Sequence, residues 1–347
     1  MSEISIPWPD LRLYARNCGE VDPYSPASTT LFRGEEAFAP DVVGWERWSK
    51  PSPEPQLDVG FQDVLLHSIQ ANAPRINALV RELARKIGES FQEAPVLVAV
   101  LRAGVPICAL LAPLLEQHFG NSVPICAFSL FYGLGWDEAA LEQILSDFPN
   151  RPLLFVDGWT SGGGVATQLN ESFKQWRWQG KGDFTGGRGP QFAVLCDPRG
   201  KATFSAVNAD YFVPSAAFTA PETLGFSRGF AFESGEMFGV YSFPPMYQKP
   251  QWIEAWMNVL NSPPSTLPSA TVGAQKIAPV GLRVDVNEVT RALINRNPME
   301  IWLATNEEDA QQTLAPLLYL AQLRGVPISF GRHELREWNT AALARMK

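Results

Sequence analysis

Pro152 to Leu169 reads Pro-Leu-Leu-Phe-Val-Asp-Gly-Trp-Thr-Ser-Gly-Gly-Gly-Val-Ala-Thr-Gln-Leu, and this stretch decides the fold. An apolar strand runs into one acidic residue, Asp157. The hydroxyl pair Thr160 and Ser161 follows, then Gly162, Gly163 and Gly164, then a helix. Backbone N–H groups left free at a helix start point at an anion, and glycine lets a phosphate come close. A carboxylate at the strand tip can bind sugar hydroxyls. The arrangement suits a ribose 5-phosphate. The plain alternative is a strand, a glycine turn and a helix with no ligand.

A second stretch is built the same way. Ala94 to Leu115 is apolar over 22 residues except for Arg102. A membrane span is rejected, because Arg102, Gly104, Pro106 and Pro113 interrupt the run and a central arginine is expensive in lipid. Pro95 to Leu101 reads instead as a buried strand, since parallel strands covered on both faces appear as unbroken apolar runs. Residues 102–106 make a tight loop, and Ile107 to His118 a helix. Arg102, with the backbone of Ala103 and Gly104, is placed for a pyrophosphate; the alternative is that Arg102 caps a carboxylate elsewhere. Two anion-type loops at the ends of parallel strands fit a ligand bound outside the carboxyl edge of an open sheet.

The 347 residues are enough for two domains, and 46% hydrophobic content supports a sizeable core. A net charge of −8 argues against a non-specific nucleic-acid binder. Residues 269–347 carry nine basic and eight acidic side chains, so the acidity lies in the rest of the chain. That part must focus positive charge locally, or use Mg²⁺, to hold a phosphorylated sugar. Cys18, Cys108, Cys126 and Cys196 form no Cys-x-x-Cys pair, which speaks against a zinc site. Cys108 and Cys126 read as small core residues. The N-terminus has neither a basic nor an apolar leader region, so a soluble cytoplasmic protein is expected.

Residues 1–56 read as an irregular arm and 57–261 as the first α/β unit. Within it, Leu65 to Phe91 has helical periodicity, with Pro74 a candidate break. Val123 to Phe131 reads as a strand, Tyr132 to Asp137 as a glycine-bearing segment, Glu138 to Asp147 as a helix and Phe192 to Cys196 as a strand. Phe218 to Phe243 is apolar enough for a hood, an interface or both. Residues 262–270 are a proline-rich linker. Residues 271–347 form a smaller α/β unit: a helix at Val286 to Arg296, a strand at Glu300 to Ala304, a helix at Glu307 to Leu323 with Pro316 inside, a strand at Val326 to Phe330 and a helix at Glu334 to Ala344. Alternating strands and helices imply a parallel sheet with helices on both faces.

Leu-Arg-Ala-Gly-Val-Pro at 101–106 and Phe-Val-Asp-Gly-Trp-Thr-Ser-Gly-Gly-Gly at 155–164 resemble the pyrophosphate and phosphoribosyl-diphosphate loops of the type I phosphoribosyltransferases. The common pattern there has two adjacent acids; here the second is Gly158. A bacterial subfamily of tellurite-resistance and stress-response operons, described both as StiP and as a phosphoribosyltransferase, keeps the single acid in Val-Asp-Gly-Trp-Thr, matched at 156–160. Its loop lysine is Gly162 here. The resemblance covers roughly residues 60 to 245. It implies phosphoribosyl diphosphate as ligand and transfer of ribose 5-phosphate to or from a base-like acceptor. By it, Asp157, Arg102 and, on a flap at Tyr132 to Asp137, Asp137 act at the reacting centre. Thr160, Ser161, Gly162, Gly163 and Gly164 hold the 5-phosphate, Ala103 and Gly104 the pyrophosphate. Mg²⁺ is the expected cofactor, reached by Asp157 indirectly through the substrate. The flap glycines permit motion or make a fixed turn.

Asn287-Glu288-Val289-Thr290-Arg291, with 301–304 and 324–328 after it, resembles the Pelota and kink-turn-binding ribosomal protein family, whose motif is Gly-x-Asn-Glu-x-x-Lys. Asp285 stands at the glycine and Arg291 at the lysine. The resemblance implies that Asn287, Glu288 and Arg291 read structured RNA; the alternative is a capped, solvated helix. Two rivals to the transferase remain. One is a non-catalytic RNA-binding adaptor. The other is a cysteine protease, with Cys196 the best nucleophile, Cys18 the second candidate, and His67, His118 and His333 the available bases. A second copy of the chain is a further expected partner.

Overall fold

Val96, Val98 and Val100 pack into one hydrophobic cluster, whereas Leu97 and Ala99 between them pack into another. A strand that buries both faces this way must lie inside a sheet covered by helices on both sides. The computed structural model describes residues 4–33, 47–232, 235–267, 281–296 and 298–346, and shows that arrangement.

In chain order the first unit has β1 (Leu11–Leu13), β2 (Arg16–Glu20), α1 (Val59–Ser90), β3 (Val96–Val100), α2 (Gly104–Phe119) and β4 (Ile125–Phe128). Next come β5 (Leu130–Phe131), β6 (Gly135–Trp136), α3 (Glu138–Asp147), β7 (Leu153–Val156), α4 (Gly164–Trp178), β8 (Gln191–Cys196) and β9 (Phe204–Val207). The short α5 (Ala220–Thr223), β10 (Gly239–Ser242) and α6 (Pro250–Met257) close it. The main sheet runs β1-β4-β3-β7-β8-β9 with every pair parallel. Helices α1 and α2 cover one face; α3 and α4 cover the other. The fold class expected from the sequence is therefore the one observed.

The second unit holds β11 (Leu282–Val284), α7 (Val286–Asn295), β12 (Pro298–Leu303), α8 (Glu307–Thr313), α9 (Ala315–Leu323), β13 (Ile328–Ser329) and β14 (Ala342–Met346). Its sheet runs β11-β14-β12-β13. The two units share a core: Val289, Leu293 and Leu317 belong to the same cluster as Phe61, Leu83 and Trp252. Tyr319 on α9 donates to Asp58, which caps α1. Of the linker, residues 268–270 lie outside the described residues, as do 271–280 of the second unit and 34–46 of the arm.

Four local expectations need correction. The N-terminal arm is not wholly irregular: β1 joins the main sheet beside β4, and β2 pairs with β10. Helix α1 passes through Pro74, because its long apolar face is anchored on both sides of that residue by Ile69, Ile76, Leu79 and Leu83. The stretch 307–323 splits into two helices, with Pro316 in the first turn of the second, where a missing N–H costs nothing. The expected last helix at 334–344 is a 3-10 turn at His333–Trp338 followed by β14, which lies between β11 and β12. Among the described residues no helix is long and apolar enough to cross a membrane.

Candidate functional site

Strands β3 and β7 are neighbours, so the loops that follow them meet at one sheet edge. Their closeness depends on Gly104: a Cβ there would fall 2.1 Å from the Val156 carbonyl oxygen. The Leu101–Arg102 peptide bond is cis. Beyond β7, Gly163 adopts φ +80° at the start of α4, a backbone state that glycine supplies without a Cβ penalty. No side chain caps this helix start.

These loops border a cavity of about 650 Å³. Arg102 and Ala103 line it from one loop; Asp157, Thr160, Ser161, Gly162 and Gly164 line it from the other. Tyr132, at the turn between β5 and β6, stands at its border and is 67% exposed. The flap segment is thus a small hairpin, held by the bond from the Gly133 N–H to the Gln168 side chain. Gly104 and Gly163 do not line the cavity; both act through backbone shape.

Asp137 is elsewhere. It is 1% exposed, caps α3 through the Ala140 N–H and accepts the Phe238 N–H at 2.7 Å. Burial raises its carboxyl to about 6. Its place at the reacting centre is therefore corrected: both its bonds are structural, and it has no face on the cavity.

The opposite wall comes from the second unit. Glu288 accepts the indole N–H of Trp159 at 2.9 Å, and Arg291 donates to the Phe218 carbonyl. Asn287 is fully buried; its amide donates to the Tyr211 carbonyl and accepts the Val213 N–H, both at 2.8 Å. The three residues expected to read RNA thus face the first unit. Asn287 has spent its amide on the protein's own backbone, and Glu288 and Arg291 line the cavity.

Of the members of this site that sequence reasoning missed, two stand out. Glu54, between two prolines of the arm, has a side chain 4% exposed. It forms a close ion pair with Arg102 and lies 3.5 Å from Arg291. Burial opposes its charge, but the two guanidinium groups outweigh it and hold its carboxyl below the usual range. Both readings of Arg102 therefore meet: it borders the cavity and it pairs with a distant carboxylate. Arg228 is the other; a lone cation in the apolar stretch 218–243 was its signal. Burial, then repulsion from Arg102, lowers Arg228 to about 9 and Arg291 to about 10. Arg283 and Arg296 also border the cavity. An acidic chain has gathered cations at one place, which is what an anion site requires.

Asp157 is half-buried at the tip of β7, and one of its oxygens accepts the Gly158 N–H at 2.7 Å. Burial pushes its carboxyl up to about 7, against that hydrogen bond, and the charge of Glu288 adds to the rise. The sequence expectation was Mg²⁺ reached by Asp157 indirectly, through the substrate; a metal held by protein side chains alone finds no donor set among the described residues. Among the described residues no group of three or more acidic, histidine or cysteine side chains converges. Among the described residues the carboxylates lining the cavity are Asp157 and Glu288, each already holding an N–H, amid guanidinium groups.

The thiols lie away from the cavity. Cys108, Cys126 and Cys196 are fully buried, and Cys18 is half-buried on β2. Burial pushes Cys108 and Cys196 well above the ordinary thiol value, Cys126 to about 12, and Cys18 upward. The Cys196 thiol sits 3.7 Å from the Tyr211 carbonyl. His67 and His118 engage the carbonyls of Asp63 and Gly88. Cys196 as nucleophile is thus corrected: a reactive cysteine needs a lowered pKa and access, and this one has neither.

Several solved structures align with part of this chain. A hypothetical protein from Neisseria gonorrhoeae with bound ppGpp is 18% identical; 38% of this chain and 77% of that one align, with a TM-score of 0.27. A hypoxanthine-guanine phosphoribosyltransferase from Bacillus anthracis is 20% identical over 41% of this chain and 71% of its own, at 0.24. Trypanosoma cruzi hypoxanthine phosphoribosyltransferase in complex with IMP is 13% identical over 43% and 78%, at 0.28. In sequence, the cysteine protease StiP of Acinetobacter baylyi is 32% identical over 148 residues, which is 43% of this chain and 37% of that protein. The family model described as tellurite-like stress resistance cysteine protease StiP matches residues 49–235, which hold Glu54, both loops and Arg228. By that match, over more than half its length, the chain belongs to the StiP family.

Proposed function

We propose that the cavity binds a 5-phosphoribosyl compound, and that the chain transfers ribose 5-phosphate between diphosphate and a base-like acceptor. The observation that carries this reading is the meeting, on one cavity, of Asp157, the Thr160–Gly164 turn ahead of α4, and Arg102. The turn and the uncapped first N–H groups of α4 receive the 5-phosphate. Asp157 accepts from a ribose hydroxyl and, once ionised, favours positive charge developing on the sugar. Arg102 receives the diphosphate. In the transfer, the bond from ribose C1 to the diphosphate oxygen breaks, the bond to an acceptor nitrogen forms, diphosphate leaves with its electron pair, and the proton of the acceptor N–H passes to water. Positioning and electrostatics suffice for such a step.

The family's name offers proteolysis as the rival, and the buried thiols do not support it in this chain. Titration calorimetry with phosphoribosyl diphosphate on wild type and Asp157→Ala tests the proposal. Saturable binding, weakened in the variant, is expected. No binding to well-folded wild type would overturn it.

A further inference from the structure

We infer that the diphosphate end of the ligand is held by arginines drawn from both units, Arg102 and Arg228 from the first and Arg291 and Arg296 from the second, and that this clamp takes diphosphate without a divalent cation. The inference rests on the proposed phosphoribosyl site and specifies how one end of it works.

Three observations carry it. The first is the chemistry at the strand tip. A magnesium diphosphate is usually held by carboxylates that reach the metal or its waters. Here Asp157 is followed by Gly158, and one Asp157 oxygen is taken by the Gly158 N–H. The second is the convergence of cations. Arg102, Arg228, Arg291 and Arg296 border one cavity, and their charges act on one another through the protein. Guanidinium groups present paired donors that match the oxygens of a diphosphate. The third is Glu54. It is the counter-ion of Arg102 and Arg291. A charged anchor joining the two units is thus already formed.

The second unit is then part of the binding site. Its helix α7 brings Arg291 onto the same carboxylate as Arg102, although 189 positions separate them in the chain. An RNA-reading module would keep this face free; here it closes on a small anion.

The test uses two probes on the full chain, inorganic pyrophosphate and ribose 5-phosphate. Each is titrated in magnesium and in excess EDTA, against wild type, Arg291→Gln and Arg228→Gln. Pyrophosphate is expected to bind wild type in EDTA at least as tightly as in magnesium. Each variant should weaken it by about tenfold or more (about 1.4 kcal/mol) while ribose 5-phosphate binding persists. Persistence of the second probe also certifies the fold of each variant. Pyrophosphate binding that requires magnesium overturns the clamp, and this arm needs no variant. Ribose 5-phosphate binding without pyrophosphate binding under either condition overturns the clamp and leaves the 5-phosphate site standing. Failure of both probes overturns the clamp and the site together.

Discussion

Replacing Glu54 by glutamine should destabilise the protein and make it more responsive to anions. The side chain is 4% exposed, in close contact with Arg102, 3.5 Å from Arg291, and accepts the Ala220 N–H. Removing one partner of a buried ion pair costs about 3–5 kcal/mol, because the other charge stays behind. Glutamine keeps one acceptor oxygen, so about 3 kcal/mol is the reasonable figure. For a chain of this size that lowers the melting temperature by roughly 4 °C. Pyrophosphate would then supply the missing negative charge. Its addition should raise the melting temperature of Glu54→Gln by more than it raises that of wild type. Differential scanning fluorimetry with and without pyrophosphate, in EDTA, reads both effects. An unchanged melting temperature, or equal anion shifts in the two proteins, would refute the view that Glu54 is the resident counter-ion of the cluster.

Gly104→Ala places a Cβ 2.1 Å from a backbone oxygen that cannot move without disturbing β7; a loss of about 2 kcal/mol or more is expected in urea unfolding, and a neutral result would show that the loops give way. Asp157 should make the native state less stable as pH rises. Its carboxyl is raised from the ordinary carboxylate value to about 7, so the folded form retains a proton that the unfolded form has lost between about pH 4 and 7. Stability from this group is complete below about pH 4 and is lost as pH rises towards 7; urea midpoints for Asp157→Asn should show a shallower decline than wild type across that window. Cys196 should resist a thiol reagent in the native protein and react on unfolding, and Cys196→Ala should leave ligand binding unchanged; rapid native labelling, or a peptidase activity lost in that variant, would restore the protease reading. Because α7 and α9 share one hydrophobic cluster with α1 and α6, calorimetry should show a single unfolding transition; two well-separated transitions would mean that the units fold apart.

The parts of the site made by adjacent sequence were readable. Val96–Val100 and Leu153–Val156 are unbroken apolar runs because both faces of a central parallel strand are buried, and the loops after them carry glycines where backbones approach. Helix α3 spans the expected Glu138–Asp147; Asp137 caps it, a role the sequence reading did not assign, and that role is why its carboxyl is absent from the cavity. Strand β14 was hidden by composition: Ala342, Ala344 and Met346 favour a helix in isolation, and only pairing with β11 and β12 makes them a strand. The arginine wall was hidden by distance. Arg102, Arg228, Arg291 and Arg296 share no local pattern, and no periodicity reports that α7 turns its polar face inward. Asn287-Glu288 had been read as a motif for an outside partner; in the structure its amide and carboxylate join the two units.

Helix α7 begins at Asp285, whose φ of 106° is rarely adopted by a residue with a side chain. Its carboxylate grips the N–H groups of Asn287 and Glu288, so the helix can start at only one place. From that start, each residue advances the helix by about 100°. Asn287 meets Tyr211 and Val213, and Glu288 and Arg291, one turn apart, meet the cavity. One residue inserted between Asp285 and Asn287 would swing all three side chains away from their partners. The spacing of this segment is therefore as much a functional property as its residues: an added amino acid would disarm the cavity while leaving each of its arginines in the sequence.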